Sequence, residues 1–288
     1  DPTTRLWMSD IDQHATPMAI GDPVRSFVWG QITQSRRDRY KEGDLVFGLG
    51  AWEEQSILRG GVAVPESFGL PLAAHASVLG LTGLTAYFGL LDIGRPKPGE
   101  TVVTSAAAGA VGSVSAQIAR IIGCRSVGIV GDDEKAARLV GEYRIDAAVN
   151  RKGDLGAALG RACPDGIDVG FENVAGPVLD AVLGHINPGA RIVLCGMISG
   201  YESASWPANM LRPILMKRAR LEGLLISTYF DRLQEGVAQL AQWVKSGELA
   251  WSVDVMDGLD AAPAALMRVL AGANQGKQLV RLAPDPWG

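Results

Sequence analysis

Apolar runs and helical stripes alternate along the middle of this chain. Val102-Val103-Thr104 is a β-branched run that reads as a buried strand, and a turn of small residues follows it. Residues 113–122 are rich in Ala, Ile and Val and predict a helix that Gly123 ends, and 126–130 predicts a second buried strand. The alternation continues, with helices expected over 134–143, 155–162 and 178–186, and strands over 147–150, 168–172, 191–195 and 221–226. Such alternation predicts an α/β fold, a parallel sheet covered on both faces. The first quarter differs. Residues 26–32, 43–52 and 57–65 are short apolar runs cut by Gly and Asp, as in a compact β domain, and 65–71 is loop. Residues 75–91 predict a buried helix broken near Gly80–Gly83, and Pro96-Lys97-Pro98-Gly99 is a stiff turn. In the tail, helices are expected over 231–245 and 261–271, and strands over 251–256 and 278–282.

The turn after the first buried strand reads Ala106-x-x-Gly109-x-x-Gly112, a variant of the dinucleotide fingerprint. Gly109 carries no Cβ, so a pyrophosphate can lie against the backbone and meet the amides at a helix start. Gly112 lets that helix pack close to its strand. Two readings of Asp132 stand side by side. It caps the next helix, or it bonds the adenosine ribose and favours NAD. Lys135 and Arg151 together suit a 2′-phosphate, which favours NADP.

Composition narrows the classes. The 288 residues leave room for two domains, and 47% are hydrophobic, enough for a sizeable core. The net charge of −4 leaves no basic face for a nucleic acid. Cys124, Cys163 and Cys195 are odd in number and far apart, which suggests a reducing, cytoplasmic setting. His14, His75 and His185 are isolated, so no metal site is expected. No apolar run approaches the length of a membrane span.

Several motifs occur in one order and spacing: Asp1-Pro-Thr-Thr-Arg5, residues 81–91 (LTGLTAYFGLL), 106–113 (AAAGAVGS), 131–135 (GDDEK), 171–174 (FENV), 195–201 (CGMISGY) and 274–277 (NQGK). Together they resemble the zinc-independent medium-chain dehydrogenase/reductases. Within these the chain is most similar to the leukotriene B4 dehydrogenase, prostaglandin reductase, curcumin reductase and alkenal double-bond reductase family. The resemblance implies a Rossmann domain inserted in a GroES-like β catalytic domain. On that plan 1–78 is the first catalytic part, 79–228 the Rossmann domain and 229–288 the returning catalytic part. It implies NADPH as cofactor and reduction of the C=C bond of enones or alkenals, usually by a homodimer. It also implies several dozen residues ahead of the Asp-Pro motif, hence an N-terminally truncated β domain.

Carried over residue by residue, the resemblance places the pyrophosphate on Gly109, Ala110, Val111 and Gly112, and the 2′-phosphate on Lys135. Arg151 stands where the family often has Tyr, and a guanidinium can serve the same phosphate. Asn173, Cys195, Gly196, Met197, Ile198, Ser199, Tyr201 and Asn274 match positions lining the nicotinamide half. Thr3-Thr4 departs from the family's Tyr-Met. The family's active-site Tyr falls near 221–230, where Tyr229 is the candidate proton or hydrogen-bond donor. Tyr201, Trp7 and Trp52 are candidate substrate walls. Each has a plainer reading as packing, and Cys195 reads as a small buried apolar residue. A quinone reductase on the same scaffold and an NADPH-binding protein without turnover are the competing functions.

Overall fold

The computed structural model describes residues 1–10, 16–64, 67–201 and 211–287. His14 and Pro65 lie outside these. The chain divides into two compact units, one made of Asp1–Ala76, Asp254–Ala273 and Gln278–Gly288, the other of Ser77–Val253 and Asn274–Lys277. The second is thus inserted in the chain of the first.

The first unit opens with helix α1 (Thr3–Trp7) and strands β1 (Arg25–Gln31), β2 (Leu45–Ala51) and β3 (Val62–Ala63). They form an antiparallel sheet in the order β1-β2-β3. Rings fix the β1–β2 register: Phe27 stacks on Phe47 at 5.5 Å, and Trp29 lies 4.3 Å from Phe47. The run over 57–65 yields only the two residues of β3.

Helices α2 (Leu72–His75) and α3 (Leu81–Phe88) replace the single broken helix expected over 75–91. The break falls earlier than expected, over Ala76–Gly80, and the Thr82 hydroxyl holds it by donating to the Ser77 carbonyl at 3.0 Å. A π-helical turn, Gly89–Gly94, follows.

The second unit then alternates: β4 (Thr101–Thr104), α4 (Gly112–Ile121), β5 (Arg125–Val130), α5 (Asp133–Gly141), β6 (Ala147–Asn150), α6 (Leu155–Ala162), β7 (Ile167–Glu172), α7 (Pro177–Leu183), β8 (Ile186–Leu194), α8 (Arg212–Met216) and β9 (Arg220–Gly223). These strands make one parallel sheet in the order β6-β5-β4-β7-β8-β9. One apolar cluster joins Leu155, Leu159, Val178 and Leu183 to Val103, Val127 and Ile192. Another joins Ala116, Leu139 and Tyr143 to Val130. Strand β8 starts five residues before the expected Arg191. Pro188 and the left-handed Gly189 (φ +79°) are absorbed by a register shift against β7 between Ile167 and Val169.

The chain closes with α9 (Leu233–Lys245), β10 (Val253–Asp257), α10 (Ala262–Leu270) and β11 (Lys277–Arg281), with β10 and β11 paired. Residues 229–253, expected with the returning catalytic part, pack in the second unit instead. The reason is aromatic. Tyr229 stacks on Phe88 with centroids 4.6 Å apart, and Tyr87 lies against Trp243 and donates to Glu235 at 3.4 Å. An amphipathic helix goes where its apolar stripe finds partners, and α3 supplies them.

Candidate functional site

The strand order turns back between β4 and β7. In an open parallel sheet, that reversal leaves a crevice at the carboxyl ends of the strands, where ligands bind.

After β4 the chain turns sharply. Ala106 is left-handed (φ +47°), an uncommon state for a residue with a Cβ. A Cβ on Gly112 would lie 2.3 Å from the Ala106 carbonyl oxygen and 2.8 Å from the Ala107 Cα, so only glycine lets α4 start this close to its strand. The amides of Val111 and Gly112 donate to no described residue. Unpaired amides at a helix start suit an anion, and a pyrophosphate fits this turn. The fingerprint residues Gly109, Ala110, Val111 and Gly112 form this turn and the start of α4.

The return segment reaches the same turn. Gly276 donates to the Ala108 carbonyl at 3.2 Å and forms a parallel bridge with Gly109. Asn274 points its Nδ2 at the Gly276 carbonyl at 2.8 Å. Asn274, 165 residues from Gly109 by number, is thereby linked through Gly276 to the glycine turn.

At the adenosine end, Asp132 spends Oδ1 as the N-cap of α5, accepting the Lys135 amide at 2.8 Å. Lys135 lines a cavity of about 370 Å³ with Glu134, Arg138, Glu142 and Gln275. Arg138 donates to Gln275 at 2.7 Å and to Glu142 at 2.7 Å. Arg151 is exposed, its Nε 3.8 Å from where a Cβ on Gly131 would sit. Lys135 is therefore grouped with Arg138 and Gln275, and Arg151 with Gly131.

After β7 and β8 the predicted nicotinamide-side residues converge. Cys195 and Gly196 donate to the Glu172 carbonyl at 2.8 and 3.0 Å, and Ile198 donates to the Asn173 carbonyl at 3.3 Å. Ser199 donates to the Val174 carbonyl at 3.0 Å. Cys195 is half-buried rather than fully buried as expected, and desolvation pushes its thiol up to about 12, which disfavours the reactive thiolate. Tyr201 is buried, with its phenol drawn to the Met197 backbone.

Tyr229 sits in a one-turn 3₁₀ helix, half-buried. Burial and the nearby Asp92 and Glu222 raise its pKa, so the phenol remains a donor at neutral pH. In the first unit, Trp7 is buried edge-on to Phe27, whereas Trp52 is half-buried. Among the described residues no group of three or more His, Cys, Asp or Glu is placed to hold a metal ion.

Sequence reasoning passed over Ser105, Arg138, Glu172 and Gln275. Glu172 had a signal: it is an acid at the carboxyl end of a mostly apolar strand, and the residue is 1% exposed. Arg138 and Gln275 had none, because only folding places them together.

The sheet order, the switch point and the glycine turn define a dinucleotide-binding domain. A family model described as zinc-binding dehydrogenase matches residues 110–245, and one described as N-terminal domain of oxidoreductase matches 1–65. The NADPH-dependent curcumin reductase of Escherichia coli is 37% identical over 99% of this chain and 85% of its own length. An NADP(+)-dependent 2-alkenal reductase of Nicotiana tabacum is 37% identical over the same shares. The crystal structure of CurA from Vibrio vulnificus, in complex with NADPH, superposes with a TM-score of 0.91 at 34% identity, covering 99% of this chain and 87% of that one. The chain belongs to the zinc-independent medium-chain dehydrogenase/reductases, in the family of the curcumin, alkenal and prostaglandin reductases.

Proposed function

We propose that this protein is an NADPH-dependent reductase of the C=C bond of α,β-unsaturated ketones or aldehydes. The observation that carries the cofactor is the glycine turn at the switch point, with two unpartnered amides and Lys135 lining a cavity at the adenosine end. The reaction class rests on similarity to reductases of curcumin and 2-alkenals over 99% of this chain and 85% of theirs. When bound, NADPH supplies a hydride for the β-carbon of the enone.

The protein's own groups do the rest. Val111 and Gly112 amides bind the pyrophosphate; Lys135 at its cavity and Arg151 beside Gly131 are the cations offered to the 2′-phosphate. Asn173, residues 195–199 and Asn274 border the nicotinamide end. The enolate that forms needs a donor, and Tyr229 offers a phenol kept protonated by its surroundings. Of the candidate substrate aromatics, Trp52 is half-buried, while Trp7 and Tyr201 are buried.

The protein works in a reducing compartment such as the cytoplasm, which its three free cysteines support; no helix among the described residues is long and apolar enough to cross a membrane. It forms a homodimer, which the edge strand β9 supports: all four of its residues are exposed, near exposed Leu215, Met216 and Leu225. Light scattering of the purified protein tests that state.

The decisive experiment follows NADPH absorbance with a 2-alkenal and, separately, with a quinone. Oxidation with the alkenal at a much higher kcat/KM is the expected result. Preference for the quinone, or no oxidation with either, would replace this reading with one of the competing functions.

A further inference from the structure

The cofactor fold leaves one buried ionisable group unexplained. Glu172 ends β7 and Ser105 follows β4, so the two flank the point where the sheet order reverses. The Glu172 Oε1 accepts three hydrogen bonds: from the Ser105 hydroxyl at 2.7 Å, the Val174 amide at 2.5 Å and the Ala175 amide at 2.8 Å. The Ser105 oxygen in turn accepts the Asn173 amide at 2.7 Å. Nδ2 of Asn173 faces the Ser105 carbonyl at 2.8 Å. A carbonyl only accepts, so the Asn173 side chain has one orientation here, and Oδ1 is the atom left over. No described residue donates to that Oδ1.

The turn beyond is held in a costly shape. Ala175 (φ +64°) and Gly176 (φ +56°) are both left-handed. Two consecutive left-handed residues persist only when something over-determines them, and the carboxyl that takes the Val174 and Ala175 amides does so. A carboxyl removed from water costs free energy unless hydrogen bonds compensate it, and here Oε1 is held by the Ser105 hydroxyl together with two amides of the turn it shapes.

We propose that Glu172, acting through Ser105, is the positioning residue of the nicotinamide end: it holds Asn173 so that Oδ1 accepts a hydrogen bond from the carboxamide of the bound cofactor. The inference rests on the NADPH reading above. Glu172 touches neither cofactor nor substrate. It acts on the half of the cofactor that the adenosine half does not share.

That asymmetry makes the test. Affinities for NADPH and for 2′,5′-ADP, which lacks the nicotinamide, are measured by calorimetry on the full chain. Ser105→Ala and Glu172→Leu should each weaken NADPH about tenfold, the loss of one good hydrogen bond, and leave 2′,5′-ADP within about twofold. Glu172→Gln keeps an acceptor at Oε1 and should restore NADPH to within about threefold of the unaltered protein. Should Glu172→Leu fail to fold, Ser105→Ala decides. Parallel weakening of both ligands, unchanged NADPH affinity, or a Gln variant as damaged as the Leu variant would overturn the proposal. An unaltered protein that binds neither ligand would instead sink the cofactor reading itself.

Discussion

The amide of Gly276 donates to the carbonyl of Ala108, tying the return segment of the chain to the glycine turn. Gly276 is left-handed (φ +65°), and a Cβ there would lie 2.2 Å from the Ser252 carbonyl oxygen. Gly276→Ala therefore pays for a left-handed Cβ, about 1–2 kcal/mol, and must also shift the segment off Ser252. The expected outcome is a lower melting temperature together with NADPH binding weakened at least about tenfold. Calorimetry beside thermal unfolding checks it; a stable variant with normal binding would show that the tie is idle.

Lys135 should set coenzyme choice. Removing one charge-assisted partner of the 2′-phosphate costs about 1.5–3 kcal/mol. Lys135→Ala should raise the KM for NADPH about 10- to 100-fold and leave that for NADH nearly unchanged. Steady-state kinetics with both coenzymes measures the ratio. Equal losses for the two would remove Lys135 from the phosphate.

Tyr229→Phe keeps the ring that stacks on Phe88 and deletes only the hydroxyl. If that hydroxyl serves the enolate, kcat with a 2-alkenal should fall about 100-fold while NADPH affinity holds. Unchanged turnover would leave Tyr229 as packing between α3 and the 3₁₀ turn.

The thiols should be inert. Burial raises Cys124 and Cys163 to about 11 and Cys195 to about 12. At pH near 8, roughly one such thiol in a thousand or fewer is thiolate, the only reactive form. Iodoacetamide at that pH should neither label the native protein nor reduce its activity. Rapid labelling, read by mass spectrometry, would contradict the burial.

Stability should carry the signature of Glu172. Burial raises its carboxyl pKa above the ordinary value. The folded protein therefore keeps a proton that the unfolded chain releases above about pH 4.3. Where the native state binds more protons, stability falls as pH rises. Urea midpoints for the unaltered protein should thus drop, relative to Glu172→Gln, as pH climbs from the carboxylate range toward neutrality. A pH-independent difference between the two would mean the carboxyl titrates normally.

Residue order alone determined the alternating α/β unit and its glycine turn, because each depends on neighbours a few positions apart; it left Asp132 between helix cap and ribose ligand, and the structure shows the cap. The 147–150 strand and the 155–162 helix fall where the periodicity put them. The motif set was equally legible, since family membership is a property of residues in order. What the sequence left open were the choices made by long-range contact. Residues 229–253 joined the second unit because α3 offered aromatic partners, and strand β8 grew by five residues because β7 could absorb a register shift. The meeting of Ser105 with Glu172, of Arg138 with Gln275, and of Gly276 with Ala108 joins positions dozens to more than a hundred residues apart. No local spacing encodes such pairs. They exist only once the parallel sheet brings its carboxyl ends side by side, since that is where buried polar groups find the partners that make their burial tolerable.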